Sequence, residues 1–425
     1  MVTHRRPSAL RSLALAFALL TALSLVLGAV LSDARAQTAP QYTFTKVADS
    51  VEDGFDPFSF GCAAINTPGD IAFKAGRLAP DGFNTIDGIY RANADGTLTT
   101  IAEDRKRFQT IGFNPSINDT GQVSFAARLD AEDEQTGDNI EAILRGDGKK
   151  LTTIASTADE FAFFGFDTSI NNSGEVAFTA ELDNGDEGLF SGSGSKKGGV
   201  TTHYLTSTSQ FDGSDSRPAI NNIGDIAFVE SIDSARGIFV GQEGDFTEIV
   251  APDPSDPSIG YGTPMLNDAG TAAFQRSLTD EATQEFVEQI VTGNGGPLTV
   301  VADTRDEFAF FGFRPPSINN DGEVAFHATL DDGTSGIFVG SDPVADRVIA
   351  TGDTLDGSIV QNLVFCEEGL SDSGELAWTS GRWRPESSIR PSRSAVRPPT
   401  SIVTGPRWSR SPSSARTFRP FSASR

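Results

Sequence analysis

INNSGEVAF, residues 170–178, decides the fold because it is one member of a series. The same frame returns as INTPGDIAF from Ile65, INDTGQVSF from Ile117, INNIGDIAF from Ile220, LNDAGTAAF from Leu266 and INNDGEVAF from Ile318, with a degenerate seventh copy, LSDSGELAW, from Leu370. Its lead positions, Asn66, Asn118, Asn171, Asn221, Asn267, Asn319 and Ser371, are spaced by 52, 53, 50, 46, 52 and 52 residues. A fixed period of this length signals a repeat architecture and has to be read before any local motif.

Further landmarks fill each unit. A strand with a Gly-Ile-Phe-like start follows at Gly88, Gly188, Gly237 and Gly336, and another reads LTTIA at Leu98 and Leu151, FTEIV at Phe246 and LTVVA at Leu298. The connection DEFAFFGF, at Asp159 and again at Asp306, supplies a fourth strand. Four short strands in about fifty residues is the size of a propeller blade; a β-helix coil is far shorter, and a helical repeat would show a 3.6-residue period. The expected fold is therefore all-β, a seven-bladed β-propeller of ~52-residue repeats.

The signature makes sense as a turn. An Asn side chain accepts a hydrogen bond from the backbone two residues on, and the Gly three residues later takes positive φ without a Cβ clash. Asn66/Gly69, Asn118/Gly121, Asn171/Gly174, Asn221/Gly224, Asn267/Gly270 and Asn319/Gly322 are read as structural turns of this kind. In the strand that follows, Val176 and Phe178 point to one face and Ala177 to the other, as expected for a sheet buried on both faces. The 31 Phe are accordingly expected to be core filler between blades.

Ring closure follows from the count. The LTTIA-like landmark also occurs before the first Asn, as Phe44-Thr45-Lys46-Val47-Ala48, while the seventh copy shows no clear downstream strands, so an N-terminal strand is expected to complete the last blade. Cys62 and Cys366, the two cysteines, belong to the first and seventh units, which are neighbours only in a closed ring. A disulfide between them is expected, contributing on the order of 4 kcal/mol by loop-closure entropy.

The ends differ from the body. Residues 1–36 read as a signal peptide, with Arg5, Arg6 and Arg11 before an apolar run from Leu13 to Leu31 and Ala34-Arg35-Ala36 before Gln37; an uncleaved anchor is the rival reading. Residues 381–425 hold ten Arg and one acid among Ser and Pro. This tail reads as disordered, as an arginine-rich arm, or as the product of a shifted reading frame. Setting aside fourteen Arg and two acids at the two ends, from totals of 33 and 58, leaves the body, residues 37–380, with 19 bases against 56 acids, a net charge of −37. Such a surface repels a nucleic acid.

The repeat units resemble those of bacterial exported "choice-of-anchor" tandem-repeat proteins, known by an N-x-x-G-x-x-A-F motif. Six copies match at the Asn and Gly, and most at the terminal Ala-Phe, across nearly all of residues 42–378. The resemblance implies export and surface display, with no assigned activity. The chain departs from that pattern in its tail, which carries no apolar sorting segment.

The search for chemistry selects no catalytic constellation and no metal site. His203 stands at an Ile-like position of its strand and His327 directly follows a strand Phe, so both are expected to be structural. No cofactor is expected; acidic turns at Asp183–Gly188 and Asp331–Gly333 leave calcium open without an EF-hand spacing. The leading expectation is an exported acidic binding or display module, secreted or periplasmic, whose partner is an extracellular protein or glycan and not a membrane span. The alternative is a propeller-fold glycosidase or polysaccharide lyase. Against it, the repeated turn has two residues between Asn and Gly where an Asp-box turn has one, and 56 body acids select no carboxylate pair. Three acid-rich insertions, Arg77 to Asp87, Asp130 to Asn139 and Leu278 to Glu288, are expected to gather on one face and to favour a cationic or calcium-bridged partner.

Overall fold

The computed structural model describes residues 42–404 except 80–84, 105–106, 133–136, 138, 195–198, 214–216, 256–258, 281 and 384–399. The expected signal peptide lies outside the described residues. Among those residues every regular element is a strand, and the strands form seven antiparallel sheets, one per repeat. The protein is a seven-bladed β-propeller.

The third blade shows how the repeat folds. Its innermost strand comes in two pieces, Phe161–Phe164 and Ser169–Ile170, which pair with different parts of the same second strand, Val176–Leu182. A third strand, Glu187–Gly192, and an outer one, Val200–Leu205, complete the sheet. The Asn signature is thus the turn from first to second strand. Because directions alternate, all seven such turns stand at one mouth of the ring. The hairpins between second and third strands, and the connections from each outer strand to the next blade, stand at the other.

Packing between blades follows the alternation seen in the sequence. Phe161, Phe178 and Phe190 of blade three are buried against Ala126 and Ile143 of blade two. Phe178 stacks on Phe190 at 5.8 Å, and Phe161 meets Phe190 edge-on at 5.3 Å. Each such buried ring contributes roughly 1.5–3 kcal/mol.

Blade seven closes the ring with both ends of the chain. Its strands run Ser358–Val364, Ala377–Trp383, Thr400–Thr404 and finally Thr45–Asp49. The N-terminal strand takes the outermost place, as its LTTIA-like sequence implies, and Phe44 packs edge-on against the fully buried Trp378 at 5.6 Å. One expectation needs correction. The body does not end at Ser380, because the second strand runs on to Trp383, and the tail is not strandless, because Thr400–Thr404 lies between that strand and the N-terminal one. The physical reason is that Ser401-Ile402-Val403 occupies the place of Gly-Ile-Phe in the other blades, and a strand there is needed to pair both neighbours. The rest of the tail, 384–399 and 405–425, lies outside the described residues.

Candidate functional site

The Asn turns are linked around the axis at six of the seven blade junctions. Asn66 Nδ2 donates to the Asn118 carbonyl at 2.9 Å, and Asn118, Asn171, Asn221, Asn267 and Asn319 repeat the bond to the next blade at 3.0 to 3.4 Å, the last one reaching Ser371. Each Oδ1 meanwhile accepts the N–H four residues on, at 2.7 to 3.0 Å. Gly69, Gly121, Gly174, Gly224, Gly270 and Gly322 each give their N–H to the carbonyl of their own Asn, at 2.9 to 3.2 Å, and have φ between 73° and 94°. Sequence reasoning supplied this turn and missed a second role of the Asn, a latch between blades.

The six glycines share this turn but differ in what surrounds them. The carbonyls of Gly121 and Gly174 accept from guanidinium groups of the preceding blade, Arg91 and Arg145, so a Cβ at either glycine would strike an arginine. Strand register puts Thr404, Ser191, Val240 and Thr292 where those arginines stand, so Gly69, Gly224, Gly270 and Gly322 lack that clamp. A Cβ would meet the Glu375 carboxylate at 3.1 Å at Gly69 and the Gln242 amide oxygen at 3.4 Å at Gly224. It would meet nothing within 4 Å at Gly270 or Gly322, where the positive φ alone asks for glycine.

A second circle lies just outside the first. Thr67, Asp119, Asn172, Asn222, Asp268 and Asn320 each give their N–H to the next side chain in the series, ending on Asp372, at 2.8 or 2.9 Å. Amide groups of Asn172, Asn222 and Asn320 donate to the remaining carboxylate oxygens. Burial, then the charges of Asp268 and Asp119, pushes the Asp372 carboxyl above the usual range. The three acids of this circle, Asp119, Asp268 and Asp372, are thus engaged in holding the ring.

The junction of blades seven and one is built differently. Ser371 has no amide to offer Asn66, and the Cys62–Cys366 disulfide, with Cα atoms 5.7 Å apart, spans this junction. Thr379 Oγ1 adds a bond to the Gly61 carbonyl at 3.0 Å, and the Ile65 N–H one to the Glu368 carbonyl at 2.9 Å. Beside the disulfide, buried Arg217 of blade four ion-pairs with buried Glu367 of blade seven and approaches Glu368 at 3.8 Å. Burial pushes Glu368 up, against the charge of Arg217 and hydrogen bonds from Ser116 and Ser169. The channel is therefore crossed by an ion cluster that no repeat motif announces.

The opposite mouth is aromatic. In FAFFGF, the strand residues Phe161 and Phe164 are buried, but Phe163 and Phe166, the latter just past the strand break at Gly165, stand 42% and 67% exposed. Phe113 and Phe313, each following the equivalent Gly, are 62% and 94% exposed. The expectation that every Phe fills the core is corrected here: the inner strand breaks after Gly, so the next side chain leaves the sheet. Phe58, 76% exposed on the connection into blade one, and Phe286, 67% exposed at the start of the third strand of blade five, stand at this same mouth. Below the rings, Asn114 Nδ2 donates to Asp167 at 2.7 Å, and Arg314 reaches Asn114 from across the axis at 3.5 Å.

Beside Phe313 a cleft of 290 Å³ opens between blades four, five and six, lined by residues that include Asp212, Glu230, Arg236, Tyr261, Phe313 and Arg314. Glu230 is buried and accepts the Tyr204 hydroxyl at 2.7 Å, while Asp212 accepts the Ser234 N–H at 2.8 Å. The three insertions all lie on second-to-third-strand hairpins, hence on this face, with part of each outside the described residues.

The histidines and acidic turns have local partners. His203 is buried between Ser191 Oγ, 2.9 Å from Nε2, and the Glu243 N–H, and burial lowers it to about 4. His327 contacts Ser335 Oγ at 2.8 Å and is likewise lowered by burial. Asp186 accepts from Thr206 and Ser207, and Asp332 from the Thr334 N–H. Among the described residues the one grouping with metal-ligating spacing is Cys62, Cys366 and Glu367, and its two sulfurs are bonded to each other.

Residues 104–389 match a family of unknown function, DUF7453. The chain belongs to that family. No curated protein matches this DUF7453 member in sequence. Among solved structures, it is similar to the β-propeller domain of the Trilobed protease from Pyrococcus furiosus, at 10% identity and a TM-score of 0.47, over 76% of this chain and 90% of that one. Pyrococcus horikoshii acylaminoacyl peptidase gives 10% and 0.46, over 76% and 49%, so the DUF7453 chain spans about half of that protein's length. The polysaccharide lyase Uly1 gives 10% and 0.44, over 82% and 90%.

Proposed function

We propose that this protein is an exported, non-enzymatic binding module that engages an extracellular protein or glycan through its aromatic mouth. The observation that carries the reading is the exposure of Phe58, Phe113, Phe163, Phe166, Phe286 and Phe313 on one face. Solvent-exposed rings gathered on one side of a rigid scaffold mark an interaction surface, because each leaves apolar area in water that a partner would cover. The Cys62–Cys366 bond supports residence in an oxidising compartment. The carboxylates nearest the cleft, Glu230 and Asp212, hold Tyr204 and the Ser234 turn, which favours binding over acid–base chemistry there.

The test compares the intact protein with the combined variant Phe113→Ser, Phe166→Ser and Phe313→Ser on a panel of purified extracellular polysaccharides and secreted proteins. Binding of at least one member, lost in the variant at unchanged Tm, is the expected result. Binding indifferent to the three substitutions would overturn the reading. Turnover of a polysaccharide that disappears on neutralising one or two acids would establish the glycosidase or lyase alternative.

A further inference from the structure

We infer that the cleft between blades four, five and six is a binding site for a small organic carboxylate, held by Arg236 and Arg314 with its apolar body against Phe313 and Tyr261. Cations of this acidic body usually find acids: Lys46, Lys74, Arg77, Arg128, Arg217, Arg305 and Arg347 all ion-pair. Others are satisfied by oxygen acceptors of the fold, as Arg91 and Arg145 are by the Gly121 and Gly174 carbonyls and Arg276 by Gln289. Arg107, Lys149 and Lys150 have no ion pair among the described residues, and neither do Arg236 and Arg314, but only the last two line the cleft. Both of these are exposed, and Arg314 has its 3.5 Å contact with Asn114.

With acids outnumbering bases 56 to 19 in the body, a concavity that sets two guanidinium groups against two carboxylates is far less acidic than its surroundings. The two carboxylates that share the cleft bond elsewhere, Glu230 to Tyr204 and Asp212 to the Ser234 N–H, and neither forms an ion pair with Arg236 or Arg314, whose donor forks stay open to a ligand. A guanidinium presents a planar fork of donors that matches a carboxylate, and the charge-assisted bonds it makes are about twice as strong as neutral ones. Phe313, almost fully in solvent, and half-buried Tyr261 supply apolar walls. A volume of 290 Å³ holds a group of monosaccharide or amino-acid size. The net charge of −37 outside the cleft selects further, because it disfavours a polyanion while leaving a singly charged ligand a short-range attraction.

The inference rests on the aromatic mouth being the ligand side, but not on a macromolecular partner. Three matched pairs of probes separate the sources of a carboxylate: glucuronate and glucose, phenylacetate and phenylethanol, N-acetylphenylalanine and its amide. By calorimetry at millimolar concentration, at least one carboxylate should bind about tenfold or more tightly than its neutral counterpart. Arg236→Gln and Arg314→Gln should each weaken that ligand about tenfold with Tm unchanged, and Arg314→Lys should lose less. Binding by none of the acids, equal binding of acid and neutral partner, or binding untouched by both Gln variants would overturn it. If the three-phenylalanine variant loses no macromolecular partner yet Arg236→Gln abolishes carboxylate binding, the wider reading fails and this one stands.

Discussion

Asn118 Nδ2 donates to the Asn171 carbonyl at 3.0 Å while its Oδ1 accepts the Gln122 N–H at 2.9 Å, so one side chain ties its own turn to the next blade. Only an amide does both. A carboxylate at the same place keeps the acceptor but faces the Asn171 carbonyl with an oxygen. Asn118→Asp should cost about 1–3 kcal/mol in urea unfolding, the penalty of an unsatisfied buried group. In the other direction, Ser371→Asn supplies the one missing donor and should add about 0.5–1.5 kcal/mol. Equal stability of Asn118→Asp and the parent would show that the turn alone matters.

The disulfide stands at the one junction without the amide latch. Replacing Cys62 and Cys366 by Ser should therefore destabilise by on the order of 4 kcal/mol, and it should do so locally. Hydrogen exchange is expected to rise first in Thr45–Asp49, Thr400–Thr404 and Ala63–Ile65, the strands of blades seven and one. A uniform rise across all seven blades would argue against a specific closure role.

The third strand of blade seven makes truncation position-sensitive. From composition alone, removing everything after Ser380 looks harmless. With Thr400–Thr404 pairing both Ala377–Trp383 and the N-terminal strand, a chain ending at 383 should lose many degrees of Tm, whereas one ending at 404 should lose few. Thermal unfolding of the two truncations decides between these pictures.

How far the sequence can be read depends on where the partner of each residue lies. The Asn turn is legible because its bonds to the backbone are local; its latch is not, because the accepting carbonyl lies 46 to 53 residues away. The same holds for the glycines: Gly121 and Gly270 look alike in the motif, and only the arginine of the preceding blade sets the first apart. Phe161 and Phe166 belong to the same repeated word, and the Gly165 break that sends one inward and the other into solvent was the available signal. The strand at Thr400–Thr404 escaped because Ser401 and Val403 replace the Gly and Phe of its landmark after a long insertion. Arg217 and Glu367 meet only once the ring has closed, so neither motif nor spacing could join them.

His203 predicts a pH dependence. Burial lowers its folded value to about 4 from an ordinary 6.5, so between those values the unfolded chain binds the extra proton and stability falls as pH falls. The contribution is complete above pH 6.5 and lost on the way down to about pH 4. It amounts to roughly 3 kcal/mol at most. A His203→Gln variant, which keeps an amide near Ser191 and Glu243, should show a flatter stability profile over this window. An unchanged profile would assign the acid sensitivity elsewhere.

The ion cluster across the channel yields the last prediction. Removing one partner of a buried pair leaves the other charge desolvated, which typically costs about 3–5 kcal/mol, so Arg217→Met should be among the most damaging substitutions in the protein. The cost should depend on pH. Without the guanidinium, Glu367 and the largely buried Glu368 have no cation beside them, the Glu368 value rises further above that of the unfolded chain, and the folded state takes up protons. Stability of the variant should then fall as pH rises, with the loss relative to the parent large at neutral pH and smaller near about pH 5. Adding Glu367→Gln and Glu368→Gln to Arg217→Met removes the unpaired charges and should recover much of the stability at neutral pH, while the same two changes beside an intact Arg217 should not. Recovery in both backgrounds would mean that the carboxylates, and not their pairing across the axis, are the source of the cost.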